Sequence, residues 1–235
     1  MAMLNPYDLV GVSFWLATAA MMATTVFLFV ERQSVAPHWQ LSVTVAGLVT
    51  LIAFFHYLYM RDVWVATQST PIVYRYVDWF LTVPLQFVEF YFILAAVSRV
   101  SAGFFWKLLL ASIVMLGSGY VGEAGMYDAT WSFVVGMLAW FYILYLIWFG
   151  EGVKAQKSSG NSAASFAYAA IRLIVTFGWA IYPLGYAFGV LSPSIDQNSL
   201  NVIYNFADIV NKIAFGLFVW SAAYRDTGVA SHHVS

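Results

Sequence analysis

Seven long apolar stretches, separated by short clusters of charged residues, constrain the fold of this chain more than any other feature. A transmembrane helix needs about 20 mainly apolar residues. Charged residues make up 9% of the 235 residues, against roughly a quarter in soluble globular proteins. We therefore expect an all-α membrane protein, a single seven-transmembrane-helix bundle formed by residues 1–235. The expected spans cover about residues 9–30, 41–60, 72–97, 104–120, 129–150, 167–191 and 200–224.

Basic residues in the connections predict the orientation of this bundle. The connections after the first, third and fifth spans and the tail after the seventh carry six of them: Arg32, Arg99, Lys107, Lys154, Lys157 and Arg225. The opposite side carries Arg61. By the positive-inside rule, the N-terminus lies outside and the C-terminus lies in the cytoplasm. The Ser-, Gly- and Asn-rich segment 155–165 is expected to be the longest flexible connection.

The composition also excludes several functions. The chain has no cysteine, so it cannot form disulfides, use thiol catalysis or bind a metal through thiolates, and no metal site is expected. Its formal net charge is −1 and it contains no basic run, which argues against nucleic-acid binding. The first ten residues lack a basic segment, so we expect no removable signal peptide.

The third span carries three polar residues on one face. At about 100° per residue, Thr82 and Glu89 lie roughly 40° and 20° around the helix from Asp78. The two acids are about 16 Å apart along the helix axis. Because an ionisable residue in a membrane costs several kcal/mol, such a stripe indicates a polar path through the bundle. Asp78 could instead be a structural partner of Arg75, but that interpretation leaves Glu89 unexplained.

The seventh span carries Asp208 and Lys212, which share one helix face and can form an ion pair. In one interpretation the two residues form an intrahelical ion pair in which each neutralises the charge of the other, with no further function. However, a lysine in the middle of a span cannot extend its amine to the membrane surface. A lysine amine in a dry pocket is suited to Schiff-base formation with a carbonyl compound.

Aromatic residues near Pro183 predict the shape of an internal pocket. Trp179, Tyr182 and Tyr186 largely share one face of the sixth span, and Trp79 follows Asp78 on the third. Such stripes are usually core packing. Pro183 removes a backbone hydrogen bond and can kink its helix, which opens room inside the bundle.

Motifs on several spans resemble the proteorhodopsin branch of the microbial rhodopsins. The matching segments are HYLYMRDVW (56–64), RYVDWFLTVPLQFVEF (75–90), GEAGM (122–126), FGWAIYPLGY (177–186) and YNFADIVNK (204–212). They occur in the same order, and the resemblance extends from Ser13 to the end of the seventh span. A generic seven-helix receptor is not expected to combine these motifs.

This resemblance implies a light-driven outward proton pump, an ion transporter rather than an enzyme. Lys212 would hold all-trans retinal as a protonated Schiff base. Asp78 would be the counter-ion and proton acceptor, and Asp208 the second counter-ion. Glu89, which lies among apolar residues and is expected to rest protonated, would be the proton donor. Arg75 would tune the counter-ions, and Thr82 would complete the Asp-Thr-Glu pattern of proton pumps.

The resemblance also implies a chromophore pocket, an oligomer and a location. The residues that would line the polyene are Trp79, Gln86, Trp179, Tyr182 and Tyr186. Glutamine at position 86 resembles the blue-absorbing type. His56 would contact the acceptor carboxylate, and Trp15 would lie at an interface of a homo-oligomer. Phe133 replaces a glycine of pumps that carry a carotenoid antenna, which argues against an antenna. We expect a multi-pass protein of the bacterial cytoplasmic membrane, surrounded by lipid.

Three alternatives stay open at this stage. A photosensory rhodopsin that signals to a partner protein would not need a rapid donor at Glu89. An anion pump would need a neutral residue in place of Asp78. A transporter without a chromophore could use Lys212 and the carboxylates as a relay. Glu123 is a weak candidate for a proton-release group, since we expect it to be an exposed loop charge.

Overall fold

The computed structural model describes residues 3–232, with side chains described as far as residue 228. Within this range the regular structure is entirely helical, and seven segments are long and apolar enough to cross a membrane. These segments are Leu9–Ser34, Pro37–Thr67, Ile72–Ala95, Ala102–Glu123, Ala129–Ser159, Ser162–Leu191 and Gln197–Gly228. The expected all-α bundle of seven transmembrane-length helices is therefore confirmed.

The α-helices that build these segments have well-defined ends. They are α1 (Leu9–Glu31), α2 (Gln40–Thr67), α3 (Ile72–Ala95), α4 (Ala102–Glu123), α5 (Ala129–Trp148), α6 (Glu151–Ser159), α7 (Ser162–Leu173), α8 (Ile181–Tyr186) and α9 (Gln197–His232). Asp8, Ser101, Asp128 and Asn161 cap α1, α4, α5 and α7, each accepting a hydrogen bond from the first turn. Short polar side chains thus mark the starts of these helices, because they satisfy amides that lack a partner within the helix.

Helix α2 continues beyond the expected end of the second span at Met60. Arg61 and Asp62 lie inside the helix, where the Arg61 guanidinium donates to the Asp62 carboxylate at 2.5 Å. The guanidinium also lies 5.1 Å from the centroid of the Trp15 ring. Because both charges have partners, they do not end the helix, which continues to Thr67.

The prediction of a flexible connection over residues 155–165 is wrong. Helix α6 occupies Glu151–Ser159 and α7 begins at Ser162, so two residues separate them. Gly160 has a φ of 65°, which glycine adopts without steric cost. Asn161 then caps α7 by accepting a hydrogen bond from the Ala164 amide at 2.8 Å. The Ser, Gly and Asn composition therefore encodes a tight turn between two helices.

The sixth segment is locally widened on both sides of Pro183. Residues Ile174–Gly178 and Ala187–Leu191 are π-helical, as in the hydrogen bond from the Trp179 amide to the Ile174 carbonyl at 3.0 Å. Proline has no amide hydrogen to donate, and such bulges are a common way to accommodate the missing bond. The expected disturbance of this helix takes the form of two wide turns.

Helices α3 and α9 form the polar interior of the bundle. More than half of the most apolar part of α3 is buried, but only 28% of the corresponding parts of α4 and α5. The buried polar residues of α3 and α9 are Arg75, Asp78, Thr82, Gln86, Glu89, Asn201, Asn205, Asp208, Asn211 and Lys212. These two helices therefore carry most of the side chains from which a site can be built.

Candidate functional site

The Lys212 amine lies at the centre of the bundle, between two carboxylates. Its side chain is 3% exposed, and Nζ donates hydrogen bonds to Asp78 Oδ2 and, at 2.8 Å, to Asp208 Oδ2. Asp78 comes from α3 and Asp208 from the preceding turn of α9. One buried cation here meets two buried anions. The cluster therefore has a net negative charge, which neighbouring groups must balance.

Asp208 is held by hydrogen bonds from three helices. Tyr57 Oη on α2 donates to Oδ2 at 2.8 Å, and Tyr182 Oη on α8 donates to Oδ1 at 2.5 Å. The Trp79 indole nitrogen on α3 lies 3.3 Å from both oxygens. A carboxylate with this many donors is well stabilised as an anion.

Asp78 is less constrained than Asp208. Its Oδ1 has no hydrogen-bond partner among the described residues. His56 Nδ1 lies 3.9 Å from this oxygen, but the same nitrogen is 2.9 Å from the Ile52 carbonyl, to which it donates. Thr82 Oγ1 donates to the backbone carbonyl of Asp78 at 2.9 Å, not to its carboxylate. Asp78 thus combines a direct contact with Lys212 and one uncommitted oxygen.

Arg75 lies one helical turn before Asp78 and is 2% exposed. Its guanidinium donates to the side-chain oxygens of Asn205 at 3.1 Å and Asn201 at 2.9 Å. No carboxylate oxygen of the described residues lies within 4 Å of it. The alternative interpretation, in which Arg75 is a direct structural partner of Asp78, is therefore not supported, because neutral amides accept the hydrogen bonds of the guanidinium.

Glu89 lies in a different environment, about 16 Å from Asp78 along α3. It is fully buried, and neither carboxyl oxygen has a hydrogen bond of good geometry within the described structure. Val88 and Phe90 flank it in sequence, Phe87 and Phe90 are both buried, and Ser42 is the polar side chain beside it. Such apolar surroundings favour the neutral form of a carboxyl group.

An internal cavity adjoins the Lys212 amine. Including its open side, it contains about 860 Å³ of space free of atoms. Its lining comes from α3, α4, α5, α8, α9 and the π-helical turn before α8. All five residues predicted to line a polyene, together with Lys212, are part of this lining: Trp79, Gln86, Trp179, Tyr182 and Tyr186. Phe133 also lines it and stacks on Tyr186, with the ring centroids 5.4 Å apart.

The site combines a buried lysine, two carboxylates and an adjoining aromatic cavity, and the sequence that builds it matches a known protein family. Residues 8–225 match the family described as bacteriorhodopsin-like protein. The chain belongs to the bacteriorhodopsin-like family. This rhodopsin is 54% identical over 225 residues to the blue-light absorbing proteorhodopsin of Gamma-proteobacterium Hot 75m4, covering 95% of this chain and 89% of that protein. The expected membership of the proteorhodopsin branch is confirmed.

Further relatives of this rhodopsin include a second proteorhodopsin and a sensory rhodopsin. The green-light absorbing proteorhodopsin of Gamma-proteobacterium EBAC31A08 is 51% identical over 97% of this chain and 91% of its own. Sensory rhodopsin-2 of Natronomonas pharaonis is 28% identical, with coverages of 89% and 87%. The similarity to proteorhodopsins is thus much greater than that to the sensory protein.

Solved structures support the same relationship. The crystal structure of blue light-absorbing proteorhodopsin from Med12 superposes with a TM-score of 0.82 at 52% identity, covering 93% of this chain and 100% of that chain. Xanthorhodopsin, described as a light-driven ion pump with dual chromophore, superposes with a TM-score of 0.83 at 26% identity and coverages of 97% and 98%.

Membership of the rhodopsin family implies a retinal chromophore, and the residues present fit this group. An elongated polyene aldehyde needs an amine at one end of an apolar slot. Lys212 Nζ borders the cavity, and Trp79, Trp179 and Tyr182 supply flat aromatic walls. The Gln86 amide nitrogen, which has no hydrogen-bond partner among the described residues, belongs to the same lining.

Sequence reasoning missed several residues at the site of this rhodopsin. Tyr57 donates to Asp208, and Asn211 donates to the Gly178 carbonyl at 3.0 Å. Asn201 and Asn205 hold Arg75. Asn205 and Asn201 lie three and seven residues before Asp208 on α9, spacings that place them on the same helix face. That periodicity is the signal that could have identified the asparagines.

Glu123 needs a correction. It was expected to be an exposed loop charge, but it is the last residue of α4 and is only partly exposed. Tyr76 Oη donates to its carboxylate at 2.8 Å, and Glu123 also lines the cavity. The hydrogen bond from Tyr76 therefore holds against the bundle a carboxylate that composition alone assigns to solvent.

Proposed function

We propose that this rhodopsin is a light-driven outward proton pump of the bacterial cytoplasmic membrane, using retinal in the all-trans form at rest. The observation that carries the proposal is the asymmetry around Lys212. Two carboxylates contact the amine, and a separate, unpaired carboxyl group lies on the far side of it along α3. The high identity to proteorhodopsins supports a transporter rather than an enzyme.

Lys212 is the residue that would bind the chromophore, through Nζ. When bound there, retinal supplies light absorption and the isomerisation that drives the cycle. Asp208 stays ionised as the second counter-ion, because Tyr57, Tyr182 and Trp79 all donate to it. It therefore balances positive charge at Nζ without competing for the proton.

Asp78 is the proton acceptor. Its Oδ2 contacts Lys212 Nζ, so a proton has a direct path from nitrogen to oxygen. Its Oδ1 has no partner within the described structure, and His56 lies nearby. Protonation of Asp78 therefore breaks fewer hydrogen bonds than protonation of Asp208 would.

Glu89 is the proton donor that restores the proton at Lys212 Nζ. A donor must hold its proton until it is needed, and an apolar site without hydrogen-bond partners favours this. With the N-terminus outside, as the basic connections indicate, Asp78 lies toward the exterior and Glu89 toward the cytoplasm. Release from one and refilling from the other give outward transfer.

A photosensory function is not supported, because the chain is 54% and 51% identical to two proteorhodopsins but 28% identical to sensory rhodopsin-2. A sensor needs a photocycle but has no need of rapid proton refilling. The buried carboxyl group of Glu89, placed beyond Lys212 from Asp78, favours the pump.

Two further features belong to this proposal. Gln86 lines the cavity with a free amide and would tune the absorption toward blue, because a polar group near the polyene stabilises its ground-state charge distribution. Trp15 is 44% exposed on α1 and His56 is partly exposed on α2. Both are available to a neighbouring copy, which supports a homo-oligomer within the lipid bilayer.

Recording external pH tests the function. Cells that make the protein are supplied with all-trans retinal and illuminated, with and without a protonophore. We expect acidification of the medium that the protonophore abolishes. Asp78→Asn is the matched control, since it should retain a coloured pigment but lose transport. No light-dependent pH change despite a bound pigment would favour the sensor, and alkalinisation would contradict the outward direction.

A further inference from the structure

Arg75 is a buried cation that pairs with no carboxylate within the described part of the chain. Its two terminal nitrogens donate to Asn201 and Asn205. The rings of Phe14 and Tyr204 lie on either side, each with its centroid 5.5 Å from the guanidinium carbon. All four of these contacts are electrically neutral, so none of them compensates the charge of the guanidinium.

Both amides are themselves fixed in orientation. Asn205 Nδ2 donates to Ser13 Oγ at 2.8 Å, and Ser13 donates onward to the Val10 carbonyl at 2.7 Å. Since the hydroxyl has used its hydrogen, it must accept from the amide nitrogen. The amide oxygen of Asn205 is thereby directed to Arg75.

Asn201 is fixed in the same way from the other side. Its Nδ2 donates to Thr70 Oγ1 at 2.9 Å and to the Gln197 carbonyl at 2.8 Å. Thr70 precedes α3 and Gln197 begins α9, so Asn201 joins the two helices at one end of the bundle. Asn201 and Asn205, which bind Arg75, are therefore fixed by hydrogen bonds to α1, to α9 and to the connection before α3.

Amides differ from carboxylates in one respect that matters here. An Asn side chain accepts the same hydrogen bonds from a guanidinium as an Asp side chain, but it leaves the positive charge uncompensated. Arg75 lies one turn of α3 from Asp78, and its charge favours the ionised form of nearby carboxylates. Lys212 and Asp208 on α9 and His56 on α2 are the charged or titratable groups that act on Asp78. Tyr57 on α2 and Tyr182 on α8 donate hydrogen bonds to Asp208 beside it. Arg75 on α3 acts on Asp208 and on Glu123 of α4.

We propose that Asn201 and Asn205 are positioning residues, which hold Arg75 at full charge next to the carboxylate pair and thereby set the pH at which Asp78 takes up a proton. This inference rests on the proposed function, because it concerns the acceptor of the pump. Two neutral side chains would thus control the protonation of Asp78 without exchanging a proton themselves.

The test is a pH titration of the visible absorption of the retinal-loaded protein, in which a band shift marks protonation of Asp78. In Asn201→Asp and Asn205→Asp, a carboxylate neutralises Arg75, and we expect the transition to move to higher pH by about one unit. Asn198→Asp makes the same change at an exposed position of α9 and should move it by less than about 0.3 unit, because solvent screens the charge.

A second variant separates the effect of the position of Arg75 from the effect of an added negative charge. Asn205→Leu removes the acceptor without adding charge, so Arg75 turns toward the carboxylates and the transition should move to lower pH. Shifts of the same sign in Asn205→Leu and Asn205→Asp would overturn the proposal, as would shifts no larger than that of Asn198→Asp. If the position 205 variants bind no retinal, the opposed pair Asn201→Asp and Asn201→Leu decides the same question.

The titration also separates this inference from the proposed function. A wild-type protein without any pH-dependent band would contradict the role of Asp78 itself. A normal wild-type transition that the asparagine variants leave unchanged would contradict the positioning role alone.

Discussion

The two sides of Lys212 are built on opposite principles. On the side of Asp78, hydrogen bonds join the two carboxylates to Lys212 and to several neutral donors, and Arg75 is held separately by Asn201 and Asn205. On the side of Glu89, the carboxyl group lies among apolar side chains without a hydrogen bond of good geometry. The comparison shows how a helix bundle can give direction to proton transfer. Charged groups are stabilised by hydrogen bonds on the side of Asp78, whereas the surroundings on the side of Glu89 favour a neutral carboxyl group.

Each design suits a different task. A network of fixed dipoles stabilises charge without reorganisation, which is what an acceptor and its counter-ion need. An isolated carboxyl group in an apolar site favours its neutral form, which is what a donor needs.

Replacing Lys212 should have the largest effect. Lys212→Ala removes the amine that would bind retinal, so we expect a colourless protein. Absorption spectra after addition of all-trans retinal measure this directly. Lys212→Arg is the matched control, because it preserves the buried charge between the carboxylates and should also be colourless. A visible band in either variant would defeat the assignment of Lys212.

Replacing the donor should affect kinetics but not colour. Glu89→Gln keeps the shape of the side chain and removes its proton, so the pigment should form normally. Its recovery after a flash should slow by about 10²-fold at neutral pH, within the range for loss of a general acid. Glu89→Asp restores a carboxyl group and should recover faster than Glu89→Gln. Equal recovery in wild type and Glu89→Gln would remove Glu89 from the donor role.

Weakening the network of Asp208 should cost stability. Tyr57→Phe deletes one donor to a buried carboxylate, and we expect a loss of about 1.5–3 kcal/mol, typical of hydrogen bonds to charged groups. Thermal unfolding in detergent compares it with Tyr59→Phe, which alters an exposed tyrosine two residues away. If both variants unfold alike, the hydrogen bond from Tyr57 does not help to hold the counter-ion.

The smallest effect is expected at the polar neighbour of Glu89. Ser42→Ala removes a hydroxyl group that forms no well-aligned hydrogen bond with the donor. Flash-recovery kinetics should therefore change by less than about threefold, since no aligned hydrogen bond, typically worth about 1 kcal/mol, is lost. A change as large as that of Glu89→Gln would show that the donor side depends on hydrogen bonding after all.

The lengths of the apolar stretches were sufficient to predict seven transmembrane-length helices, and helical periodicity predicted the polar stripes of α3 and α9. A charged residue in a membrane span is rare and costly, so Asp78, Glu89, Asp208 and Lys212 stand out from their surroundings. Tyr57, Asn201 and Asn205 do not, because tyrosine and asparagine are neutral and their partners come from other helices. Their contacts depend on how the helices pack, which local sequence does not specify.

Two errors have a similar cause. The segment 155–165 and Glu123 were both interpreted from residue type, as flexible and as exposed. In the structure, Gly160 and Asn161 form a turn and a helix cap, and Tyr76 covers the Glu123 carboxylate. In both places, small or polar residues form a specific structure: a tight turn with a helix cap in one, and a tertiary hydrogen bond in the other. Composition reveals neither.

Time-resolved infrared difference spectroscopy of the carboxyl C=O bands tests the central claim most directly. We predict that a band of protonated Asp78 appears after the flash, and that a band of protonated Glu89, present in the dark, is then lost and restored. Asp78→Asn and Glu89→Gln assign the bands by abolishing one each. A dark-state spectrum without protonated Glu89, or a cycle in which Asp78 gains no proton, would contradict the account.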